Sequence, residues 1–412
     1  MKRKVIFILA DAFRYDYIYK FNLRFFKIMI EKKKYFYVKK VIPSTGFCEI
    51  VEYITGKEAL EHRMLTQITV RDGWYLLKLS NFLKFLDRAY YNNPLRKIPK
   101  IRGIYKSLID SVINEILRKF ISSDVINVRY NIPISFLPFL KAVESKYEYD
   151  SFEFGGDSNL FVWMRKKKVS YDIDDFIKHN RVKGTDEDRL NRLEEKIRKK
   201  ILKDFTLLYI GYGELAHFYG TNHPFVRKKI EEFCERVKKI FNLLKQNYKD
   251  FVLIIMGDHG MIDVYKYVNV INVFKKVLRE VNKELLLFVD YIYFIDSTLF
   301  RVWFRDKKMV KPVQEKLFYY LKGVIEMDNE LLSYLGKFRP NYGDIILLLK
   351  PGHMFFPDFF NIKPNKGMHG YWNKYPEQFG MLIAIGTGLQ KFSLVEKMKL
   401  SEVKNFIQTL WE

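Results

Sequence analysis

Short uninterrupted hydrophobic runs alternate along the chain with longer segments in which apolar residues recur every three or four positions. The runs are typical of strands buried on both faces, and the longer segments are typical of amphipathic helices. The four clearest strands have the sequences KVIFILAD, FTLLYIGYGE, FVLIIMGDHG and FGMLIAIG. One helix is predicted to begin at Pro224, since proline is favoured in the first helical turn. This alternation predicts an α/β fold with a mostly parallel central sheet and helices on both faces.

The alternation is interrupted between residues 71 and 199, where basic amphipathic stretches follow one another. The segment KSLIDSVINEILRKFI carries an apolar stripe that consists of Leu108, Val112, Ile113 and Ile116. A basic helix with an apolar face either packs on a core or lies on an anionic membrane surface. We therefore predict a catalytic core of residues 1–70 and 200–412, with a largely helical insertion, or cap, at 71–199.

A loop with two hydroxyl groups precedes a predicted helix in VIPSTGFCEIVEYITG, residues 41–56. Pro43 favours an extended entry, and Ser44 and Thr45 are suited to cap the N-terminus of the helix. Gly56 is suited to end the helix in a left-handed conformation. A hydroxyl group in this place is either a plain cap or a nucleophile beside a helix end that favours anions.

Acidic residues and histidines follow the predicted strands at the points where the hydrophobic runs end. These residues are Asp11, Glu214, His217, Asp258, His259 and, late in the chain, His369. Because ligands bind beyond the carboxyl ends of strands in such sheets, we expect these side chains to lie at one edge. Carboxylates and imidazoles form a ligand set that Zn²⁺ accepts.

The formal net charge of the 412 residues is +24, which indicates an anionic partner or a surface rich in solvated lysines. Nucleic acid is the less favoured partner because no RNP-type, zinc-knuckle or helix-turn-helix signature is present. Cys48 and Cys234 make no disulfide framework. The apolar run that Asp11 interrupts is too short for a signal peptide, and no run reaches the length of a membrane span. We therefore expect a cytoplasmic protein.

The ordered set of motifs resembles the alkaline phosphatase superfamily, most closely its nucleotide pyrophosphatase/phosphodiesterase branch. An Asp after the first strand, a hydroxyl loop, GELAHFYG, DHGM and a late HGY follow one another over residues 4–65 and 203–390. The resemblance implies an alkaline phosphatase-like fold and two divalent metal ions, Zn²⁺ or alternatively Mn²⁺. By resemblance, one ion would be held by the nucleophile Thr45 together with Asp11, Asp258 and His259. The other ion would be held by Glu214, His217 and His369.

The hydroxyl loop departs from the family pattern by one or two residues. The positions that keep the family register are Pro43, Phe47, Thr55, Gly56 and His62. This register places Gly46 at the nucleophile position and Glu49 where the family has Asn. The nucleophile is therefore predicted to be Thr45 or Ser44, and Cys48 is a third candidate. Freedom of the backbone at Gly46 would allow the loop to turn differently.

A second departure concerns the acidic metal ligand before His217. The family has Asp four residues before this histidine, and that position is Gly213 here. Glu214, with its longer side chain, is predicted to make up the offset. His62 is predicted to organise the loop, and three other histidines are predicted to be structural, namely His179, His223 and His353.

Taken together, the resemblance implies a metal-dependent phosphodiesterase that acts through a Ser or Thr nucleophile. Its predicted substrate is a small-molecule or lipid-linked phosphodiester, such as a nucleotide- or lipid-linked sugar phosphate, with peripheral contact to an anionic membrane. Sulfatase chemistry is disfavoured, since CEIVE lacks the required Pro and Arg. Two alternatives remain: a degenerate relative that binds an anion, glycan or lipid, and a phosphomonoesterase or phosphomutase of the same superfamily. The oligomeric state is left open.

Overall fold

The computed structural model describes residues 3–31, 35–77, 83, 85, 87, 115, 131–144, 147–174, 184–389 and 394–411. The chain forms two compact units. The first comprises residues 1–63, 147–266 and 365–412, and the second comprises residues 64–146 and 267–364. The core and insertion boundaries given above stay a prediction. The apolar stripe that contains Leu108 and the histidine at 179 lie outside the described residues.

The strands of the described residues alternate with helices along the chain. The strands are β1 (Lys4–Ala10), β2 (Tyr35–Ile42), β3 (Ile68–Val70), β4 (Leu140–Ala142), β5 (Tyr171–Asp174), β6 (Phe205–Ile210), β7 (Phe251–Met256), β8 (Ile262–Asp263), β9 (Lys266–Val268), β10 (Tyr291–Asp296), β11 (Leu299–Phe304), β12 (Ile345–Leu348), β13 (His353–Phe355), β14 (Gly367–Met368), β15 (Gly380–Gly386) and β16 (Leu394–Lys399). The helices are α1 (Tyr17–Lys20), α2 (Arg24–Glu31), α3 (Glu49–Thr55), α4 (Ala59–His62), α5 (Leu160–Lys166), α6 (Asp186–Arg198), α7 (Ala216–Tyr219), α8 (Pro224–Asn247), α9 (Val270–Val281), α10 (Val310–Leu321), α11 (Asn329–Gly336) and α12 (Val403–Thr409).

A seven-stranded sheet forms the centre of the first unit, in the order β16-β2-β15-β7-β1-β6-β5. Strand β1 runs parallel to both β6 and β7, β5 runs parallel to β6, and β16 runs parallel to β2. Only β15 is antiparallel to its two neighbours among these strands. Leu9, near the end of β1, lies opposite Tyr209 in β6 and Met256 in β7. The carboxyl ends of these three strands therefore meet at one edge.

Helices cover both faces of this sheet. Successive residues of a strand point to opposite faces, so each strand contributes side chains to both layers of helices. Ile6 and Ile8 of β1 belong to a buried cluster with Phe233 and Val237 of α8. On the opposite face, the ring of Phe7 packs against Tyr53 of α3 with centroids 5.8 Å apart. The predicted α/β fold, with a mostly parallel sheet between layers of helices, is confirmed.

The second unit has its own antiparallel sheet of β10, β11 and β12. Its apolar core includes Ile292 and Phe294 of β10 and Trp303 of β11.

Among the helices that the structure describes, none has a stretch long and apolar enough to cross a lipid bilayer.

The predicted N-terminus of the helix after the hydroxyl loop is wrong by several residues. Helix α3 begins at Glu49, its N-cap residue is Cys48, and neither Ser44 nor Thr45 caps it. The predicted end of the helix is confirmed, since Gly56 is left-handed with φ of 71°. The two hydroxyl groups thus belong to the loop between β2 and α3, which frees them for other contacts.

Candidate active site

Asp11 and His259 meet at the carboxyl edge of the sheet because they follow the neighbouring strands β1 and β7. Asp11 Oδ1 lies 3.2 Å from His259 Nε2. The hydroxyl group of Tyr209, in β6, donates a hydrogen bond of 2.6 Å to Asp11 Oδ2. Three neighbouring strands therefore hold this carboxylate and imidazole in place.

Glu214 and His217 reach the same edge from the short turns that follow β6. Glu214 Oε1 lies 3.3 Å from His217 Nε2. The preceding residue, Gly213, has no room for a side chain, since a Cβ atom there would lie 2.2 Å from the carbonyl oxygen of Asp11. An acidic residue at 213 is therefore sterically excluded, and the carboxylate comes from Glu214 instead.

His369 joins these two pairs from the segment that follows β14. Its ring stacks on that of His259 with centroids 3.9 Å apart, and it lies 5.3 Å from the ring of His217. Burial lowers the pKa of His369 well below its usual value, and the nearby His259 and His217 lower it further. The imidazole of His369 is therefore neutral at neutral pH, which is the form that binds metal.

All three histidines are oriented in the same way by the backbone. In each ring Nδ1 contacts a carbonyl oxygen, which only accepts hydrogen bonds, so Nδ1 carries the proton of the neutral ring. The three contacts are His217 with Gly367 at 2.8 Å, His259 with Gly260 at 2.7 Å and His369 with Gly46 at 3.0 Å. The Nε2 atoms consequently face the carboxylates. Although burial opposes it, Glu214 raises the pKa of His217, and Asp258 and Asp11 raise the pKa of His259, so a bound cation would replace the Nε2 protons of these two rings.

The facing atoms have the spacing of ligands on one metal ion. Zinc bonds of roughly 2.0–2.2 Å at tetrahedral angles separate two ligand atoms by roughly 3.3–3.6 Å. Asp11 Oδ1 and Glu214 Oε1 are buried, and neither has a hydrogen-bond partner among the described residues. Three groups could hold an ion, each with ligand atoms within 4.8 Å: Asp11, Glu214 and His259; Glu214, His217 and His369; and Glu49, His259 and His369. The site therefore fits divalent metal ions.

Asp258 contributes to the site differently from the other predicted ligands. Its Oδ1 accepts hydrogen bonds from the backbone N–H groups of Ala12, at 3.3 Å, and His259, at 3.0 Å. The same oxygen lies 3.9 Å from His259 Nε2. Asp258 is in none of the three groups found among the described residues, so its role as a ligand stays a prediction.

Glu49 belongs to the site although the sequence analysis did not assign it as a ligand. The only sequence signal was its register, which places it where the family has Asn. An acidic residue in the first turn of a helix is otherwise explained by the helix dipole. Burial raises the pKa of the Glu49 carboxyl group.

The two loop hydroxyl groups have different environments. Ser44 Oγ donates a hydrogen bond of 2.6 Å to Glu52 Oε1 and accepts one of 3.0 Å from the backbone N–H of Ala59. Thr45 Oγ1 is buried and has no hydrogen-bond partner in the part of the chain that the structure describes. Ser44 therefore ties the loop to α3 and α4, whereas the hydroxyl group of Thr45 is available.

The remaining candidates lie outside the metal-binding groups formed by the described residues. Cys48 is buried at the N-cap position of α3. His223 caps α8 by accepting a hydrogen bond from the N–H of Phe225 at Nδ1. His62 ends α4, and His353 begins β13 in the second unit.

Comparison with known proteins identifies the family of this chain. The sequence profile described as type I phosphodiesterase / nucleotide pyrophosphatase matches residues 5–372. No curated protein sequence gives a significant match. Human ectonucleotide pyrophosphatase/phosphodiesterase 5 has a similar structure, with 16% identity, a TM-score of 0.64 and coverage of 99% of this chain and 95% of that chain.

The mouse protein of the same name gives nearly the same result, with 15% identity, a TM-score of 0.63 and coverage of 99% and 95%. An inactive variant of it, a threonine-to-alanine substitution in complex with AMP, has 15% identity, a TM-score of 0.63 and coverage of 100% and 95%. The predicted resemblance and the prediction of an enzyme are confirmed by the profile match. The chain belongs to the type I phosphodiesterase/nucleotide pyrophosphatase family, a family of metal-dependent phosphodiester hydrolases in the alkaline phosphatase superfamily.

Proposed function

We propose that the protein hydrolyses a nucleotide-type phosphodiester with Thr45 as the nucleophile and two divalent metal ions. The observation that carries this proposal is the hydroxyl group of Thr45, which is buried and has no hydrogen-bond partner among the described residues. A buried hydroxyl group without a partner is destabilising, so its presence beside a candidate active site calls for an explanation. Thr45 also immediately precedes Gly46, whose carbonyl oxygen orients His369.

Each residue of the site has a role in this proposal. Thr45 Oγ1 gives up its proton and forms a bond to phosphorus as the bond to the leaving alcohol breaks, and the leaving oxygen takes up a proton. Water then attacks phosphorus, releases the phosphate monoester from Thr45 and restores its hydroxyl group. Asp11, Asp258 and His259 would hold one ion, and Glu214, His217 and His369 would hold the other. When bound, two such ions activate the nucleophile and stabilise the charge on the attacking and leaving oxygens.

The nucleotide-type substrate is supported by the mouse relative whose inactive variant binds AMP. That variant replaces a threonine by alanine, which also favours Thr45 over Ser44 in this chain. A diester carries one negative charge where a monoester carries up to two. The acidic residues around the site, Asp11, Glu49 and Glu214, therefore favour the diester by electrostatics.

The experiment compares hydrolysis of bis-p-nitrophenyl phosphate and p-nitrophenyl phosphate by protein purified without chelator. We expect about two Zn²⁺ or Mn²⁺ ions per chain by elemental analysis, and a higher kcat/KM for the diester. Protein stripped with a chelator should lose activity and regain it when the metal is restored. Unchanged activity after stripping would exclude the metal mechanism, a preference for the monoester would make the protein a phosphomonoesterase, and ion binding without hydrolysis would indicate the degenerate anion-binding alternative.

A further inference from the structure

We propose that Glu49 is a metal ligand of this site, and that its carboxylate binds the ion that the proposed function assigns to His259. The inference rests on the metal site of the proposed function but not on the identity of the nucleophile. The family register places Asn at this position, so the ligand would be a property of this chain.

The Glu49 side chain is buried and directed towards the histidines. Glu49 is 9% exposed, and its Oε1 atom has no hydrogen-bond partner among the described residues. A carboxylate oxygen of Glu49 and ring nitrogens of His259 and His369 lie within 4.8 Å of one another. An acidic residue whose only role is a favourable interaction with the helix dipole would lie at the surface, where water solvates its carboxylate.

The Glu49 carboxylate also lies beside residue 46, the position that the family register assigns to the nucleophile. Gly46, at that position, has φ of +75°, and a Cβ atom built on it would lie 3.1 Å from Gly370 Cα. A hydroxyl-bearing side chain at 46 would therefore be strained by the positive φ and crowded against Gly370. The same Cβ atom would lie only 3.8 Å from Glu49 Oε1. Glu49 thus brings an anionic oxygen to the region where a side chain at 46 would project.

The surrounding charges require a cation near Glu49. Its carboxylate shares the buried site with two other acidic residues, Asp11 and Glu214. Buried carboxylates repel one another and lose the solvation that water provides, so such a cluster is stabilised by a bound cation.

The test uses Glu49→Gln, which retains the shape of the side chain and removes its charge. The control is Glu235→Gln, which removes the same charge from the 65% exposed Glu235 of α8. Metal-free protein is titrated with Co²⁺, and the visible absorption spectrum is recorded together with the affinity of each ion. We expect Glu49→Gln to bind one of the two ions about tenfold or more weakly, with a changed Co²⁺ spectrum, and Glu235→Gln to match the wild type.

Thermal unfolding of the metal-free proteins provides a second measurement, which does not require metal binding. The Tm of metal-free Glu49→Gln should exceed that of the wild type, because a buried charge has been removed. Glu49→Asp, which retains the charge on a shorter side chain, should bind both ions with intermediate affinity. Wild-type affinity, an unchanged Co²⁺ spectrum and an unchanged Tm in Glu49→Gln would overturn the inference.

The outcome is separable from that of the proposed function. If the wild type hydrolyses no diester but Glu49→Gln loses affinity for one ion, the ligand role of Glu49 stands and the proposed activity falls. If the wild type hydrolyses diesters and Glu49→Gln binds both ions normally, the proposed activity stands and the ligand role falls.

Discussion

Each compact unit buries a cluster of charged residues, and the two clusters differ in how their charges are compensated. In the second unit, Arg301 is 0% exposed, and its Nε and Nη2 atoms lie 2.9 and 2.8 Å from Asp296 Oδ2. Its Nη1 atom donates a hydrogen bond of 2.9 Å to the carbonyl oxygen of Ile68. The guanidinium group also lies over the rings of Phe294 and Trp303. This cluster is complete without a ligand.

The cluster of the first unit differs, because the described ion pairs of its carboxylates are with histidines and not with an arginine or lysine. Its acidic residues, among them Asp11, Glu49 and Glu214, keep buried oxygens without hydrogen-bond partners among the described residues. Its imidazoles face these oxygens, and an imidazole is a group that exchanges its ring proton for a metal ion. Burial of charge alone therefore does not identify an active site. Burial of charge that the chain itself does not compensate is the informative feature.

The largest effect is expected for Thr45→Ala. This substitution should lower kcat/KM for bis-p-nitrophenyl phosphate by about 10⁴-fold or more, because covalent catalysis depends on its nucleophile. The free energy of unfolding should change by less than about 1 kcal/mol, since no hydrogen bond of Thr45 Oγ1 is lost. Initial rates and urea unfolding of the same preparation measure the two quantities.

Two further variants serve as controls for Thr45→Ala. Thr45→Ser retains the hydroxyl group and should retain most of the activity. Ser44→Ala should instead lower stability by about 1–3 kcal/mol, because it leaves the N–H of Ala59 without its partner and leaves Glu52 with only the hydrogen bonds from the backbone N–H of residue 44. An active Thr45→Ala with an inactive Ser44→Ala would place the nucleophile one residue earlier.

The next effect concerns the completed cluster of the second unit. Arg301→Met should lower the free energy of unfolding by about 3–5 kcal/mol, because it leaves the buried Asp296 without its cation. Urea unfolding monitored by tryptophan fluorescence is a suitable measurement, since Trp303 adjoins the guanidinium group. Metal content should remain that of the wild type.

The double variant Arg301→Met, Asp296→Leu distinguishes an unpaired charge from lost packing. It should recover most of the stability, since replacing both partners of a buried ion pair by apolar residues is often neutral. A double variant as unstable as Arg301→Met would show that packing, and not charge compensation, determines the stability of this cluster.

The parts of the site that follow strands could be predicted from the sequence. Hydrophobic runs locate β1 and β7, and the geometry of a parallel sheet then brings Asp11 and His259 to one edge. Glu214 and His217 could be found because they lie only a few residues beyond β6. In these cases, local sequence and sheet topology together determine the position of the side chain.

The loop between β2 and α3 could not be predicted equally well, because long-range contacts determine its path. The helix begins at Glu49 and not at the hydroxyl groups, and Ser44 is held by contacts with Glu52 and Ala59. The lack of space at Gly46 is caused by Gly370, which lies more than 300 residues later in the chain. No local sequence pattern predicts such a contact, and for this reason Glu49 could not be assigned to the site from the sequence.

In the way its charge is compensated, Glu52 is intermediate between the two clusters. Its side chain is 1% exposed, and Oε1 accepts hydrogen bonds from Ser44 N at 3.0 Å and Ser44 Oγ at 2.6 Å. Within the described part of the chain it forms no ion pair. Burial raises the pKa of Glu52 to about 8, although the hydrogen bonds from Ser44 lower it. Glu52 therefore shows whether hydrogen bonds without a cation compensate a buried carboxylate.

The effect expected for Glu52→Gln appears only as a dependence on pH. The folded protein keeps the proton on Glu52 up to about pH 8, whereas the unfolded chain releases it near its usual pKa of about 4.5. Wild-type stability should therefore fall as the pH rises between these values, by at most about 1.4 kcal/mol per pH unit from this group. Glu52→Gln should lack this slope and gain stability relative to the wild type at pH 9 compared with pH 5. Parallel slopes for the two proteins in urea unfolding would mean that the hydrogen bonds from Ser44 compensate the charge and that a cation is not required.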